Sequence, residues 1–287
     1  MQPEPAAKLA TTARGSFRMG LVGRGIQLSR TPAMHEAEAS AQSLSCRYEL
    51  IDTDADPASD LHEIVARAEA EGFAGLNVTF PYKQDVIAHL HHLSDAAKRV
   101  GAVNTVVFRE GRRFGHNTDF WGFTESLRTG LPDASIDDVL LIGAGGAGGA
   151  LAHALADLGA NKIRIFDTRD GAAASLARGI TVAEPAQDLA EAAAHASGIV
   201  NATPVGMAKL PGMPIARDLL EARHWVADII YFPLRTELLR EASSMGCRTL
   251  SGEGMAVFQA VRAFQLFTGH IADADRMRAT FRAMGAT

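Results

Sequence analysis

Three glycines carry the first chemical signal. Gly143, Gly145 and Gly148 stand as G-x-G-x-x-G in "VLLIGAGGAGGALAHALADLGANKIRIFD", after a short apolar run and before an alanine-rich helical one. Gly143 permits a tight turn, Gly145 lets the backbone approach a pyrophosphate, and Gly148 permits close packing of helix on strand. Ala144, Gly146 and Ala147 fill the loop with nothing larger than a methyl group. The amides at the start of the helix are free to receive phosphates. The next apolar run ends at Asp167, about 20 residues beyond the last glycine, where a carboxylate reads a ribose. Arg169 makes the opposite offer, because a guanidinium suits a 2′-phosphate. A glycine-rich turn without a ligand is the alternative. Strand, glycines, helix, strand and acid in this order weigh against it. The segment predicts a dinucleotide, nicotinamide or flavin, and leaves the reaction open.

Three further clusters could do chemistry. "LSRTPAMH" sets Ser29 and Thr31 two apart before a helical run; "NVTFPYK" sets Asn77, Thr79 and Lys83 at a strand end and the turn after it. "GHNTD" sets Asn117, Thr118 and Asp119 after a hairpin. Each has a plainer reading. Ser29 and Thr31 could cap a helix, Lys83 could be a solvated surface lysine, and Asp119 could cap the helix that follows. Two other patterns are set aside. "DTDADPASDLHE" places Asp52, Asp54, Asp56 and Glu63 at calcium-loop spacing, but Pro57 stands where that loop needs glycine. "HLHHL" offers His89, His91 and His92 without a partnering carboxylate or cysteine, and reads as a surface helix rather than a metal site.

These residues need elements to position them. Apolar runs at 17–23, 46–52 and 74–80 alternate with helical patterns over 31–44 and 58–72. In the first helix Thr31 is the expected N-cap and Pro32 the first helical residue. "VNTVVFREGRRFGHN" reads as a hairpin turning at Glu110-Gly111. After Asp119 a more regular strand–helix series runs from "VLLIG" to "WVADIIY". Helices containing "LLREASSMG" and "AVFQAVRAFQLFTG" finish the chain. Such alternation predicts an α/β protein. The chain has 287 residues and a formal net charge of −5, which leaves no basic footprint for nucleic acid and no polybasic membrane patch. No apolar run is long enough to span a bilayer. Cys46 and Cys247 lie far apart and read as thiols of a reducing compartment, the cytoplasm. Residues 1–16 lack the apolar stretch of a secretion signal and read as a disordered extension.

Taken together, "LSRTPAMH", "NVTFPYK", "GAVNT", "GHNTD", "GAGGAGG", "NATPVGM", "DIIYFPLRTELL" and "GMAVFQAVRAF" resemble the shikimate dehydrogenase family, in the family's order across residues 17 to 284. The resemblance implies an α/β protein of two domains with the active site in the cleft. Residues 17–118 plus about 255–287 would form the substrate domain, and 119–254 a Rossmann-type doubly wound dinucleotide domain. Lys83 and Asp119 match the family's catalytic pair. Ser29 and Thr31 match the hydroxyl pair that holds the substrate carboxylate. Asn77, Thr79, Asn104 and Gln259 match side chains that contact ring hydroxyls or line the site, and Tyr231 a tyrosine near the substrate. Thr203, Pro204, Gly254 and Met255 lie in segments that flank the cofactor. Oxidising a ring alcohol needs an acceptor for the hydroxyl proton, a nicotinamide near the carbinol carbon and a grip on the far end of the ring. Lys83 suits the first need, either as the acceptor itself or as a stabiliser of alkoxide charge.

Two departures refine the expectation. Thr31 stands where members devoted to shikimate synthesis usually carry serine, and its extra methyl resembles the branch that also accepts quinate. One methyl discriminates by only about 1–3 kcal/mol, so dual activity is expected rather than exclusivity. Asp167-Thr168-Arg169 stands where NADP-dependent members usually show Asn-Arg-Thr. A carboxylate there repels a 2′-phosphate, so NAD is expected, with NADP the weaker cofactor. Arg169, one place beyond the usual phosphate-binding arginine, is expected either to stack on adenine or to face solvent. The expected activity is hydride transfer between NAD and the ring alcohol of quinate or shikimate, without a metal, by a monomer or homodimer. The alternatives are an NADP-dependent biosynthetic enzyme, an aminoshikimate dehydrogenase and a non-catalytic dinucleotide sensor on the same fold.

Overall fold

The computed structural model describes residues 15–54 and 60–284. They form two compact units. The first holds the described residues up to Ala97, together with Ala102–Thr118 and those from Ala260 onward; the second holds Lys98–Gly101 and Asp119–Gln259.

The first unit begins with strand β1 (Ser16–Gly23), helix α1 (Thr31–Ala41), β2 (Ser45–Asp52), α2 (Leu61–Ala70) and β3 (Gly75–Val78). A short 3-10 turn (Asp85–His89), β4 (His92–Leu93), α3 (Asp95–Val100) and the hairpin β5 (Thr105–Arg109) and β6 (Arg112–His116) follow. The strands lie in the order β2-β1-β3-β5-β6-β4. β1 is parallel to both β2 and β3, so Met19 pairs with Tyr48 on one side and Leu21 with Asn77 on the other. β5 then runs antiparallel to β3 and to β6. The hairpin turns where expected, with Glu110 at φ 51° and Gly111 at φ 69°. Helix α2 covers the sheet through Leu61, Ile64, Val65 and Ala68, one stripe at helical spacing that packs with Val22, Leu76 and Val106.

In the second unit α4 (Thr118–Gly130) leads to β7 (Asp138–Ile142), α5 (Gly146–Leu158), β8 (Lys162–Phe166), α6 (Ala172–Ala177), β9 (Ala183–Pro185), α7 (Leu189–His195) and β10 (Gly198–Asn201). β11 (Trp225–Asp228), α8 (Glu237–Ser244), β12 (Arg248–Leu250) and the start of α9 (Glu253–Thr268) complete it. From Ala260 onward α9 belongs to the first unit, as does helix α10 (Ala274–Ala283). The sheet is parallel throughout, in the order β9-β8-β7-β10-β11-β12. Counted from β7 that is 3-2-1-4-5-6, the doubly wound order expected of a Rossmann fold. Helices cover both faces, so β7 and β10 are buried almost throughout and read as apolar runs rather than as alternation. The direction of winding reverses between β7 and β10, and in such sheets ligands gather at the carboxyl ends of those strands.

Several local expectations give way. "HLHHL" is not a helix: the 3-10 turn ends at His89, and His92 and Leu93 pair in parallel with Phe114 and Gly115 of β6. The Arg113 amide donates to the His91 ring at 3.0 Å, so the edge of the sheet claims this segment. Thr31 is not the cap of α1. Arg30 holds that place with helical dihedrals and no side-chain capping bond, since a guanidinium has no acceptor to offer a helix amide; it donates to the Phe281 carbonyl on α10. Asp119 lies inside the first turn of α4 rather than at its cap. Ser16, assigned to the N-terminal extension, is paired with Ser45 in β1; residues 1–14 lie outside the described residues, as do Asp56 and Pro57 of the calcium-like loop. Asp52 of that loop accepts from the Gly25 and Ile26 amides. Among the described residues no group of three or more His, Cys, Asp or Glu side chains could hold a metal ion, and no helix is long and apolar enough to cross a membrane.

Candidate active site

In the first unit the polar residues gather where β1 and β3 end and β5 begins. Asn77 is buried in β3 and held on three sides. The Tyr48 hydroxyl donates to Asn77 Oδ1 at 2.7 Å, and Asn77 Nδ2 donates to the Asn104 carbonyl at 3.2 Å and to Thr105 Oγ1 at 3.0 Å. Tyr48 reaches Asn77 because β2 and β3 flank β1. Asn104 Oδ1 accepts from the Thr118 amide at 2.6 Å and from the Thr118 hydroxyl at 3.2 Å. Just beyond β3, the Thr79 amide donates to Val22. The Lys83 carbonyl accepts from Val103 at 2.7 Å, which pins the lysine's backbone beside Asn104. Ser29 Oγ accepts from the Thr31 amide at 3.3 Å, so the hydroxyl pair opens α1 as a local turn.

Behind Tyr48 lies His35, from the same "LSRTPAMH" stretch. It is wholly buried, its ring centroid 5.0 Å from that of Tyr48 and near Phe264 and Phe267, and neither ring nitrogen has a hydrogen-bond partner among the described residues. Burial pushes its pKa down to about 3, so it is a neutral packing group. Burial also pushes the Tyr48 phenol well above its ordinary value, which keeps it a proton donor to Asn77.

In the second unit the glycine loop is shaped for a ligand's backbone contacts. Gly143 sits at φ +108°, and its amide donates to the Phe166 carbonyl at 2.8 Å. A Cβ on Gly148 would stand 2.0 Å from the Gly143 carbonyl oxygen, so only glycine lets α5 approach β7 this closely. At Gly145 and Gly146 a Cβ would meet open space, which leaves the amides at the start of α5 uncovered by side chains. This fits the pyrophosphate of a dinucleotide.

Asp167, just after β8, closes the same loop. Its carboxylate accepts from the Ala144 amide at 2.7 Å and the Arg169 amide at 2.9 Å. The Arg169 guanidinium adds bonds of 3.1 and 3.0 Å, one to each oxygen. Arg169 therefore pairs with Asp167 while its guanidinium stays largely exposed. The carboxylate is 9% exposed and the guanidinium 65%. The arginine's hydrogen bonds, with those from the backbone, hold the Asp167 pKa down at about 2.

Across the switch point, a Cβ on Gly143 would touch Ala202 and Thr203 after β10. Thr203 donates to Asn201 Oδ1 at 2.7 Å, and Asn201 Nδ2 donates to Asp228 at 3.0 Å. Asp228 also accepts from the Thr236 hydroxyl and the Ile230 amide, which fastens the turns after β10 and β11 together. Pro204 and Tyr231 stand exposed on those turns. Asp119 and Gln259 belong to helices that cross closely: a Cβ on Gly122 of α4 would press on Met255 and Gln259 of α9, and one on Gly254 would meet Ser126 at 2.2 Å.

Sequence reasoning passed over Tyr48, Thr105, Asn201, Asp228 and Thr236. The available signal was a polar residue at the end of an otherwise buried apolar strand, as in Asn201 and Asp228.

Residues 21–106 match the shikimate dehydrogenase substrate binding domain, and residues 252–280 match the shikimate 5′-dehydrogenase C-terminal domain. The quinate/shikimate dehydrogenase (NAD(+)) of Corynebacterium efficiens is 47% identical over 277 residues, covering 93% of this chain and 98% of that one. The chain belongs to the shikimate dehydrogenase family. Another member, the shikimate dehydrogenase (NADP(+)) of Streptomyces avermitilis, is 48% identical over 283 residues, covering 95% and 97%. Among solved members, quinate dehydrogenase from Corynebacterium glutamicum in complex with NAD superposes with a TM-score of 0.90 at 44% identity, covering 94% of this chain and 100% of that one. Overall identity does not separate NAD-named from NADP-named family members, so the residues around the ribose must.

Proposed function

We propose that this chain is an NAD-dependent quinate/shikimate dehydrogenase, interconverting quinate with 3-dehydroquinate and shikimate with 3-dehydroshikimate. The observation that carries the cofactor assignment is Asp167, a charged carboxylate tied to the glycine loop through the Ala144 amide. There it can accept from ribose hydroxyls and opposes a 2′-phosphate. Residues 119–254 would hold the dinucleotide, with Gly143 to Gly148 at the pyrophosphate, Asp167 at the ribose, Arg169 at its edge, and Thr203, Pro204, Gly254 and Met255 flanking the nicotinamide end. Residues 17–118 with about 255–287 would hold the ring acid. Bound NAD would accept the hydride from the carbinol carbon.

The remaining work falls to side chains. Ser29 and Thr31 bind the carboxylate of the ring acid, and Asn77, Thr79, Asn104, Tyr231 and Gln259 orient the ring and its hydroxyls. Lys83 stands at the hydroxyl that is oxidised, where it meets the proton and the alkoxide charge, with Asp119 as its partner in the catalytic pair. The threonine methyl at position 31 suits the tetrahedral carboxyl-bearing carbon of quinate. The reading takes small molecules as the only partners and places the enzyme in the cytoplasm as a monomer or homodimer, where the free thiols of Cys46 and Cys247 are at home. One observation favours a second reading, NADP-dependent shikimate reduction: the exposed Arg169 guanidinium could leave Asp167 for a phosphate.

Initial rates for NAD and NADP against quinate and shikimate decide between them. NAD with both acids supports the first reading, and NADP with shikimate alone supports the second. No turnover with any pair leaves a dinucleotide-binding protein without this activity. In an active enzyme Lys83→Ala should cost well over tenfold in turnover; a loss within about tenfold, roughly 1.4 kcal/mol, removes the lysine from the mechanism.

A further inference from the structure

The hydrogen bonds around Asn77 and Asn104 fix which end of each amide can meet a ligand. The Asn104 backbone carbonyl can only accept, so the Asn77 atom 3.2 Å from it is Nδ2. The second Nδ2 hydrogen goes to Thr105 Oγ1. Both donors of Asn77 are thereby used inside the protein. What remains is one lone pair on Oδ1, the other being taken by Tyr48. For Asn104 the logic reverses. The Thr118 amide can only donate, so the Asn104 atom 2.6 Å from it is Oδ1. That oxygen is further crowded by the Thr118 and Thr105 hydroxyls at 3.2 and 3.3 Å. Its Nδ2 hydrogens meet no acceptor among the described residues.

We infer that Tyr48 and Thr118 are positioning residues that set the two asparagines to opposite polarity, so that Asn77 meets the substrate only as a hydrogen-bond acceptor and Asn104 only as a donor. The inference rests on the reading that this unit binds a ring polyol acid. It adds a rule of selectivity. The ring position facing Asn77 must carry a hydroxyl, because a keto, ether or fluoro group offers no proton and leaves a buried oxygen facing an oxygen. The position facing Asn104 tolerates any acceptor oxygen, a carbonyl included.

Tyr48→Phe keeps the ring packed against His35 and removes only the hydroxyl. Asn77 keeps its two Nδ2 bonds, but Oδ1 loses the donor that braces it, so its acceptor is held less firmly toward the ligand. The expected result is a KM for quinate or shikimate raised about fivefold, with the KM for NAD and kcat within about twofold of wild type. Combined with Asn77→Ala, Tyr48→Phe should add almost nothing, since Tyr48 acts through that side chain. Thr118→Val keeps the backbone amide that orients Asn104 and removes the hydroxyl that reinforces it, so the same KM should rise, though less than in Tyr48→Phe, while Thr118→Ser restores it; this reports on Asn104 independently and covers the case in which Tyr48→Phe does not fold. Deoxyfluoro analogues of the ring acid complete the test: one ring position should lose most of its affinity on replacing OH by F, Tyr48→Phe should weaken that preference, and Asn77→Ala should erase it. Multiplying losses for Tyr48→Phe and Asn77→Ala, or a KM unchanged in both Tyr48→Phe and Thr118→Val, would overturn the inference while leaving the dehydrogenase intact. A wild-type chain that turns over neither acid overturns the functional reading beneath it.

Discussion

Asp167→Asn tests the cofactor assignment without dismantling the loop. The amide oxygen of Asn can still accept from Ala144, now at 2.7 Å, so the glycine turn keeps its anchor; the Arg169 amide, which meets the other carboxylate oxygen, loses its acceptor. Asp167→Ala would lose that anchor together with the charge. Two effects then separate. Hydrogen bonds from ribose hydroxyls to a charged acceptor exceed those to a neutral one by about 1 kcal/mol, so kcat/KM for NAD should fall about fivefold. For NADP, removing the negative charge and releasing the Arg169 guanidinium together favour the 2′-phosphate by about 2 kcal/mol at a partly exposed site, a gain of about 30-fold. The NADP-to-NAD ratio of kcat/KM should therefore rise about 150-fold, measured at saturating quinate and again at saturating shikimate. Arg169→Ala is the control of opposite sign, because it leaves Asp167 uncompensated: NADP use should fall about tenfold while NAD use holds. A ratio that moves less than about fivefold in Asp167→Asn refutes the electrostatic argument. Improved NADP use in Arg169→Ala refutes the role given to the arginine.

Gly148→Ala should abolish dinucleotide binding by calorimetry or thermal shift, since a Cβ there collides with the Gly143 carbonyl; retained NAD binding would contradict the loop geometry. Thr31→Ser removes one methyl and should move the quinate-to-shikimate ratio of kcat/KM toward shikimate by up to about tenfold; an unchanged ratio removes Thr31 from the choice of substrate. His35 predicts an acid limb of stability. The unfolded chain takes up a proton at this imidazole below about pH 6.5, whereas the folded one resists until about pH 3, so stability is full above 6.5 and falls as pH drops between those values. The loss amounts to about 2 kcal/mol at pH 5, and His35→Leu should flatten that part of the denaturation profile; an identical slope in the variant would show that the imidazole is not kept neutral.

Much of the architecture was legible because its signals are local. The central strands β7, β10 and β11 announce themselves as apolar runs, and Gly148 must be glycine for a reason confined to one turn and the helix it enters. The hairpin at Glu110-Gly111 needs two adjacent positive φ angles, a demand also carried by two residues. Errors arose where a distant partner outbid a local preference. Thr31 yielded the cap position because Arg30 is drawn to Phe281, 251 residues away along the chain. "HLHHL" left its helix because β6 offered a sheet edge. Helix α10 went unread because its average hydropathy is low and its buried face rests on only Met277 and Phe281.

The sequence by itself determined the α/β class, the doubly wound half, the family and the residue types available for chemistry, because periodicity, turn-forming glycines and motif order are properties of neighbouring residues. Only the tertiary structure decided how those residues are committed. Whether Asp167 closes the glycine loop through the Ala144 amide, which face of Asn77 is spent on Thr105 and the Asn104 carbonyl, and whether His35 carries a proton all depend on groups brought together by strand pairing and burial. Hydrogen-bond direction and charge state are set by what stands within about 3 Å, and for these side chains that neighbour lies mostly on another strand or helix.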